Sequence, residues 1–294
     1  MPEFVMSLFN SAASSLLESV GNLLIPAGLF IALAMVLKGR DVLSDARRAL
    51  PEVRTTLLFI CFNAVFVVPF FAIFSTWTAQ KFSELSLTAI HPDMWAMLPS
   101  PVVTVIAIFV GDLIGYWRHR AEHLPMLWPS HAIHHSDREM TWLTLERFHP
   151  INRVTTFAID NGLMFLLGFP SYAIIANNLV RHYYGYYVHA DLPWTHGKLG
   201  KIFVSPAMHR WHHAADTAAI NTNYATVFSI IDRWFGTFRV PGPCTAPLGV
   251  TDDFGGGPLS QLAYPLQPRA YRRSVRSTVD APHIPPLNID RATG

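Results

Sequence analysis

The chain has 294 residues, 51% hydrophobic and only 14% charged, where an average soluble protein carries about a quarter charged residues. A net charge of +2 is too small to recruit nucleic acid. Of the two cysteines, Cys61 lies in an apolar run, which leaves no disulfide framework, no CxxC zinc site and no cysteine-ligated iron–sulfur cluster.

This is the composition of a membrane protein, and the apolar runs come in four blocks. Nineteen uncharged residues separate Glu18 from Lys38, close to the ~20 that a helix needs to cross a bilayer. Nothing basic precedes them, so they do not read as a signal peptide. Twenty-six uncharged residues follow between Arg54 and Lys81, with a kink expected at Pro69. The third block runs from Asp93 through Trp117 and the fourth from Val154 to Val180. Basic residues concentrate in 38–54 and 118–153, which puts those stretches on the cytoplasmic side. Block four contains Gly168-Phe169-Pro170. That break predicts a hairpin with limbs over about 154–167 and 171–185, each too short to span alone. From 241 to 294 the chain holds nine prolines and a basic cluster (Arg269, Arg272, Arg273, Arg276), and it reads as an extended cytoplasmic tail.

Fourteen histidines, most of them between 119 and 213, are the anomaly. "HRAEH" carries His119 and His123; "HAIHH" carries His131, His134 and His135; "HRWHH" carries His209, His212 and His213. Residues i, i+3 and i+4 share a helix face, so each box projects its imidazoles together. Eight rings exceed the four ligands of one structural zinc and suit two ions. Ligand type alone leaves Zn, Cu, Fe and Ni open. Asp112 lies seven residues before His119, on the same face.

The ordered set HxxxH, HxxHH, HxxHH resembles the fatty acid hydroxylase/sterol desaturase superfamily of membrane di-iron oxygenases. The resemblance extends to "DLIGYWRHRAEH", "LWPSHAIHHSDREMTWLTLERFHP", "VHADLP" and "VSPAMHRWHHAADTAAINTNYATVFSIIDRWFGTF", and so covers about 105–240. It implies an all-α integral membrane bundle with a cytoplasmic histidine-rich helical cap. The implied layout is transmembrane helices over 1–100, a catalytic domain over 101–240 and the Pro-rich tail over 241–294. It makes the eight box histidines metal ligands and catalytic residues, with His189 the ninth ligand and His149 and His182 further candidates. Some relatives have another histidine four residues before the counterpart of His189. Here that position is Gly185, for which His182 or His196 is a substitute. Asp112, Asp191, Asn223, Asp232 and Arg210 are candidates for holding the ligand rings. His91 and His283 fall outside the pattern.

The resemblance implies two iron ions, with zinc possible as purified, and O₂ as co-substrate. It also implies a lipid drawn from the bilayer and an external electron donor, a ferredoxin or a cytochrome with its reductase. Hydroxylation and desaturation stay open. Aromatic residues near the boxes either line an apolar cavity or form an interfacial belt. Three other readings compete. A zinc hydrolase would use Glu122 or Glu146 as base, although neither sits in HExxH. A metal-binding or transport protein would want polar residues in its spans. A haem bundle would want paired histidines inside facing spans.

Overall fold

The computed structural model describes residues 2–85 and 87–271. Three of the four arginines in the tail cluster, together with His283, lie outside them. Among the described residues the regular structure is helical. The helices are α1 (Pro2–Lys38), α2 (Val42–Phe66), α3 (Val68–Glu84), α4 (Pro92–Ala96), α5 (Ser100–Glu122), α6 (Trp128–His135), α7 (Pro150–Thr155), α8 (Gly162–Leu166), α9 (Ser171–His189), α10 (Pro206–His212), α11 (Ser229–Trp234) and α12 (Pro258–Ala263). Among the described residues, three segments are long and apolar enough to cross a membrane: Asn10–Lys38, Asp41–Phe66 and Ser100–Glu122.

The basic stretch 38–54 is mostly helical. One short turn, Gly39–Asp41, joins α1 to α2, and α2 carries Arg47, Arg48 and Arg54 on its first turns. Ala46, Ala49 and Leu50 are strong helix formers, and their charged neighbours do not prevent a helix. Pro69 acts as expected. It lacks an N–H and its ring crowds the preceding turn, so the second apolar block breaks at Val67 into α2 and α3.

Block four forms the hairpin. The Phe148 ring lies 5.1 Å from His134, and at the far end of the excursion His189 Nε2 lies 3.2 Å from His134 Nε2. The chain therefore leaves and returns to one place, which rules out a single crossing. Gly168 makes the tip. Its φ of 67° is left-handed and the Ile90 carbonyl sits where a Cβ would go, so only glycine serves there. Trp95 stacks on Phe169 at 4.2 Å and donates to the Leu167 carbonyl. Between α7 and α8 the outgoing limb winds as a π turn over Thr156–Asn161. Its Asp160 is buried and takes Arg118 and Arg181, each at 2.8 Å.

The returning limb, α9, packs along α5. Gly111 and Gly115 leave room for the Asn177 and Arg181 side chains to cross the α5 backbone. Below them Val103, Ala107, Met164 and Ala173 form an apolar core. A second core of Tyr116, Val188, Val204, Met208 and Ile231 supports the histidine-bearing end.

Residues 241–271 do not hang free as an extended tail. Leu248 bridges Ala214, Gly249 N–H donates to the His213 carbonyl, and Phe254, Tyr264 and Ala270 pack with Phe59 and Ile133. Apolar side chains among the prolines give this segment a face to bury, and it closes over α2 and α6.

Candidate metal centre

Four helix ends converge on the site. His119 sits in the last turn of α5 and His123 caps it. His131, His134 and His135 lie on α6, His189 ends α9, His209 and His212 lie on α10 and His213 caps α10. Their ring nitrogens form two groups, each with ligand atoms within 4.8 Å of one another. One is His119, His123, His131, His135 and His212; the other is His134, His189, His209 and His213.

Helical phase explains the division. In an HxxHH box the i+4 ring lies about 40° to one side of the i ring and the i+3 ring about 60° to the other, so one broad face sends the i+3 ring along a diverging line. On α6 the i and i+4 pair, His131 and His135, enters the first group and His134 enters the second. On α10 the pair His209 and His213 enters the second group and His212 reaches back to the first. Each box thus serves both groups. The α5 pair completes the first group and His189 completes the second.

The rings fit metal ions. Several outer nitrogens are held by backbone carbonyls: His119 Nδ1 donates to Tyr224 O at 2.8 Å, His189 Nδ1 to Gly185 O at 2.7 Å and His212 Nδ1 to Thr222 O at 2.7 Å. A neutral ring with its proton on Nδ1 presents a lone pair at Nε2. Those Nε2 atoms point at one another. His119 and His131 meet at 3.0 Å, and His189 and His209 at 2.9 Å, while the Nε2 atoms of His123 and His212 are buried without a partner. Converging buried lone pairs are costly, and bound cations remove the cost.

The supporting residues act mainly through a loop. Asn221 and Asn223 adopt φ values of 60° and 62°, which asparagine tolerates. The Asn223 amide donates to Met208 O and Arg239 O, and Asp232 accepts from the Tyr224 and Ala225 N–H groups. Asp112 accepts from Thr226, Val227 and Phe228. None of the three carboxylate or amide side chains bonds a histidine ring. They fix the backbone whose Thr222 and Tyr224 carbonyls do. A carbonyl contact of this kind leaves no trace in residue type.

Four candidates lie elsewhere. Asp191 pairs with Lys38 and with Arg210, the latter at 2.9 Å, because it sits past the end of α9 facing α1. His149 caps α7: its Nδ1 accepts from Ile151 N–H and its Nε2 donates to Leu262 O, which uses both nitrogens. His182 sits 3.6 Å from Glu146, and His196 bonds Tyr187. Neither joins a group, so the place of Gly185 is left without an imidazole. Glu122 emerges as a supporting residue. It is fully buried, accepts from Arg118 and Thr155, and lies 3.5 Å from His131 Nδ1.

Residues 104–237, the stretch holding all nine of these rings, match the fatty acid hydroxylase family model. This segment is similar to the fatty acid hydroxylase family. An ornithine lipid hydroxylase, OlsE, of Rhizobium tropici is 33% identical over 177 residues, 60% of this chain and 53% of that protein. An alkylglycerol monooxygenase of Homo sapiens is 31% identical over 139 residues, 46% of this chain and 31% of that protein. The Delta(7)-sterol 5(6)-desaturase ERG3B of Gibberella zeae is 25% identical over 166 residues, 56% of this chain and 50% of that protein. The chain spans about half or less of the length of these curated relatives. No solved structure matches it. The apolar spans together with this family mark an integral membrane protein.

Within the matched segment, one cavity of about 250 Å³ borders both histidine groups, touching His119, His131, His134, His189 and His209. Charged side chains of Arg118, Arg153, Arg181, Asp160 and Glu146 share its lining with Leu145, Val188 and one aromatic ring besides the histidines, Phe148. Most of the other aromatic residues near the boxes pack elsewhere: Trp142 on Phe30, Trp211 to the Gly242 carbonyl, and Trp128 over His123 and His135.

Burial, reinforced by neighbouring imidazoles, holds His131, His134, His135, His209 and His213 well below the ordinary histidine range. Burial pushes His189 and His212 down to about 4. In the unfolded chain these rings take protons below ~6.5, and the folded protein resists them. Protonation therefore favours unfolding as pH falls through that window. The metal-stripped protein should lose melting temperature steeply from about pH 6.5 towards pH 4 and change little above about pH 7. A melting temperature independent of pH across that range would contradict the buried neutral rings.

Proposed function

We propose that this protein is a membrane-bound two-iron oxygenase that hydroxylates a lipid carrying a polar headgroup. The observation that carries the reading is the convergence of nine imidazoles into two groups, with their Nε2 atoms directed inward. His119, His123, His131, His135 and His212 would hold one ion; His134, His189, His209 and His213 would hold the other. Bound iron supplies redox chemistry with O₂ at a strength that unactivated C–H bonds require.

The chain's own residues do the rest. The carbonyls of Thr222, Tyr224 and Gly185 keep three rings in the tautomer that offers Nε2. Leu145 packs against Gly185 in the wall of the cavity beside the second group, and the charged side chains of that cavity suit a polar headgroup on an apolar chain. Relatives named for ornithine lipids and for alkylglycerols support an amphiphilic substrate and hydroxylation. The catalytic unit is 101–240, and 1–100 supplies the N-terminal transmembrane helices. The basic residues in the first half of α2 and in 118–153 support a cytoplasmic side for the histidines. Electrons come from a separate ferredoxin or cytochrome with its reductase.

The test is metal analysis of detergent-purified protein together with incubation of candidate polar lipids under ¹⁸O₂. About two irons per chain and ¹⁸O in the lipid product are expected. One zinc per chain without iron, in protein grown with ample iron, would sink the reading.

A further inference from the structure

A second cavity, of about 500 Å³, lies between α1, α2, the 138–143 segment and residues 190–192 and 246–248. That volume suits a ligand site. None of the nine histidines lines it, and it shares no lining residue with the cavity beside them. One wall is apolar: Phe30, Ile31, Ala34 and Leu37 from α1 face Leu50 and Val53 from α2. Trp142 stacks on Phe30 at 5.7 Å within this wall.

The opposite end is a charged collar that begins at Lys38, where the first apolar span ends. That is the depth at which a bilayer passes from hydrocarbon to headgroups. The collar holds three acids, and each is compensated. Lys38 pairs with Asp45 and Asp191, Arg48 with Asp45 at 2.6 Å and Glu139 at 3.7 Å, and Arg210 with Asp191 at 2.9 Å. Arg138 is the fourth base. Among the described residues lining the cavity, it alone of the charged side chains has no ion pair. Its side chain rests against Gly249, with Cγ 3.1 Å from where a Cβ would stand.

An apolar wall, a collar at interfacial depth and one uncompensated guanidinium together select an amphiphile. We propose that this cavity is a second lipid site, distinct from the histidine cavity. It holds a membrane amphiphile with its chain against α1 and α2 and its phosphate or carboxylate on Arg138. A guanidinium is well matched to either anion. The site reads lipid contact, and its test is independent of turnover at the histidines.

The probes are phosphatidylglycerol and a fatty acid, each brominated on the acyl chain, and a brominated diacylglycerol as the uncharged control. They are titrated into the full-length protein in detergent. Bromine quenches tryptophan on contact, and the part due to Trp142 is the difference between wild type and Trp142→Phe. Ala46→Phe, which fills the cavity and keeps Trp142, supplies the same difference if Trp142→Phe does not fold. Saturable Trp142 quenching by an anionic probe is expected, and whichever of the two saturates at lower concentration identifies phosphate or carboxylate as the partner. Diacylglycerol should bind about tenfold more weakly, and Arg138→Gln should weaken the anionic probe by about tenfold, the loss of one charge-assisted contact. Equal quenching by diacylglycerol with no effect of Arg138→Gln would overturn the proposal, as would the absence of Trp142-dependent quenching by every probe.

Discussion

His134→Ala and His212→Ala should each lose activity, and each should release metal from a different group. His134 is one of four rings in its group and His212 one of five in the other. Metal content is therefore expected to fall from about two per chain towards one in His134→Ala, with a smaller loss in His212→Ala, whose group keeps four rings. Activity should drop by well over a hundredfold in His134→Ala, because even removing a partner that only orients a ligand costs 10–100-fold. His91→Ala is the control. His91 is exposed and caps α4 through Asp93 N–H, so metal and activity should stay at wild-type levels. His149→Ala separates the remaining possibility. Its two nitrogens are committed to Ile151 and Leu262, so it should keep its metal and lose about 1 kcal/mol of stability as a missing helix cap. Metal content by mass spectrometry and melting temperature distinguish all four variants. Full metal in His134→Ala, or loss of metal in His149→Ala, would show that the rings are grouped differently.

The ligand rings are legible in the sequence because i, i+3 and i+4 spacing carries geometry with it. Their division between two groups is not. His134 and His131 are three residues apart on one helix, and which of them faces which neighbour depends on how α6 meets α10. Asp112, Asn223 and Asp232 read correctly as polar residues near the site, yet their targets are backbone N–H and C=O groups on the 222–228 loop, which no side-chain pattern reveals. Asp191 has the same residue type and a similar position in the chain, and it faces Lys38 instead. Charge density over 38–54 speaks to membrane side and says little about backbone conformation, so the start of α2 there is not legible from it. The hairpin is the reverse. Gly168 and Pro170 are local signals with one steric meaning, and the need to bring His189 back to His134 agrees with them. Residues 241–271 mislead because proline and glycine dominate the composition while Leu248, Phe254 and Tyr264, irregularly spaced, do the packing.

Asp112→Ala should be the most destabilising single change away from the histidines. The carboxylate is fully buried and accepts three backbone N–H groups, from Thr226 at 3.1 Å, Val227 at 2.9 Å and Phe228 at 2.8 Å. It also faces Arg181 at 3.5 Å. Alanine strands three donors, each costing about 1–3 kcal/mol when buried without a partner. It also leaves Arg181 to Asp160 alone. Loop relaxation recovers part of this, so a loss of about 3–5 kcal/mol is expected, the range for breaking a buried charge pair. The effect should reach the metal centre along a defined route. Residues 226–228 follow Tyr224, whose carbonyl holds His119, and Asp232 grips the same loop from its other side. Asp112→Asn retains an acceptor oxygen and loses the charge, so its melting temperature should fall between those of wild type and Asp112→Ala. Metal retention should follow the same order, with the first group affected before the second. If Asp112→Ala melts like wild type, the 226–228 loop is held by other contacts and the carboxylate is not its anchor. If it melts early and still keeps both metals, the loop does not set His119, and the carbonyl contact at Tyr224 is dispensable for binding.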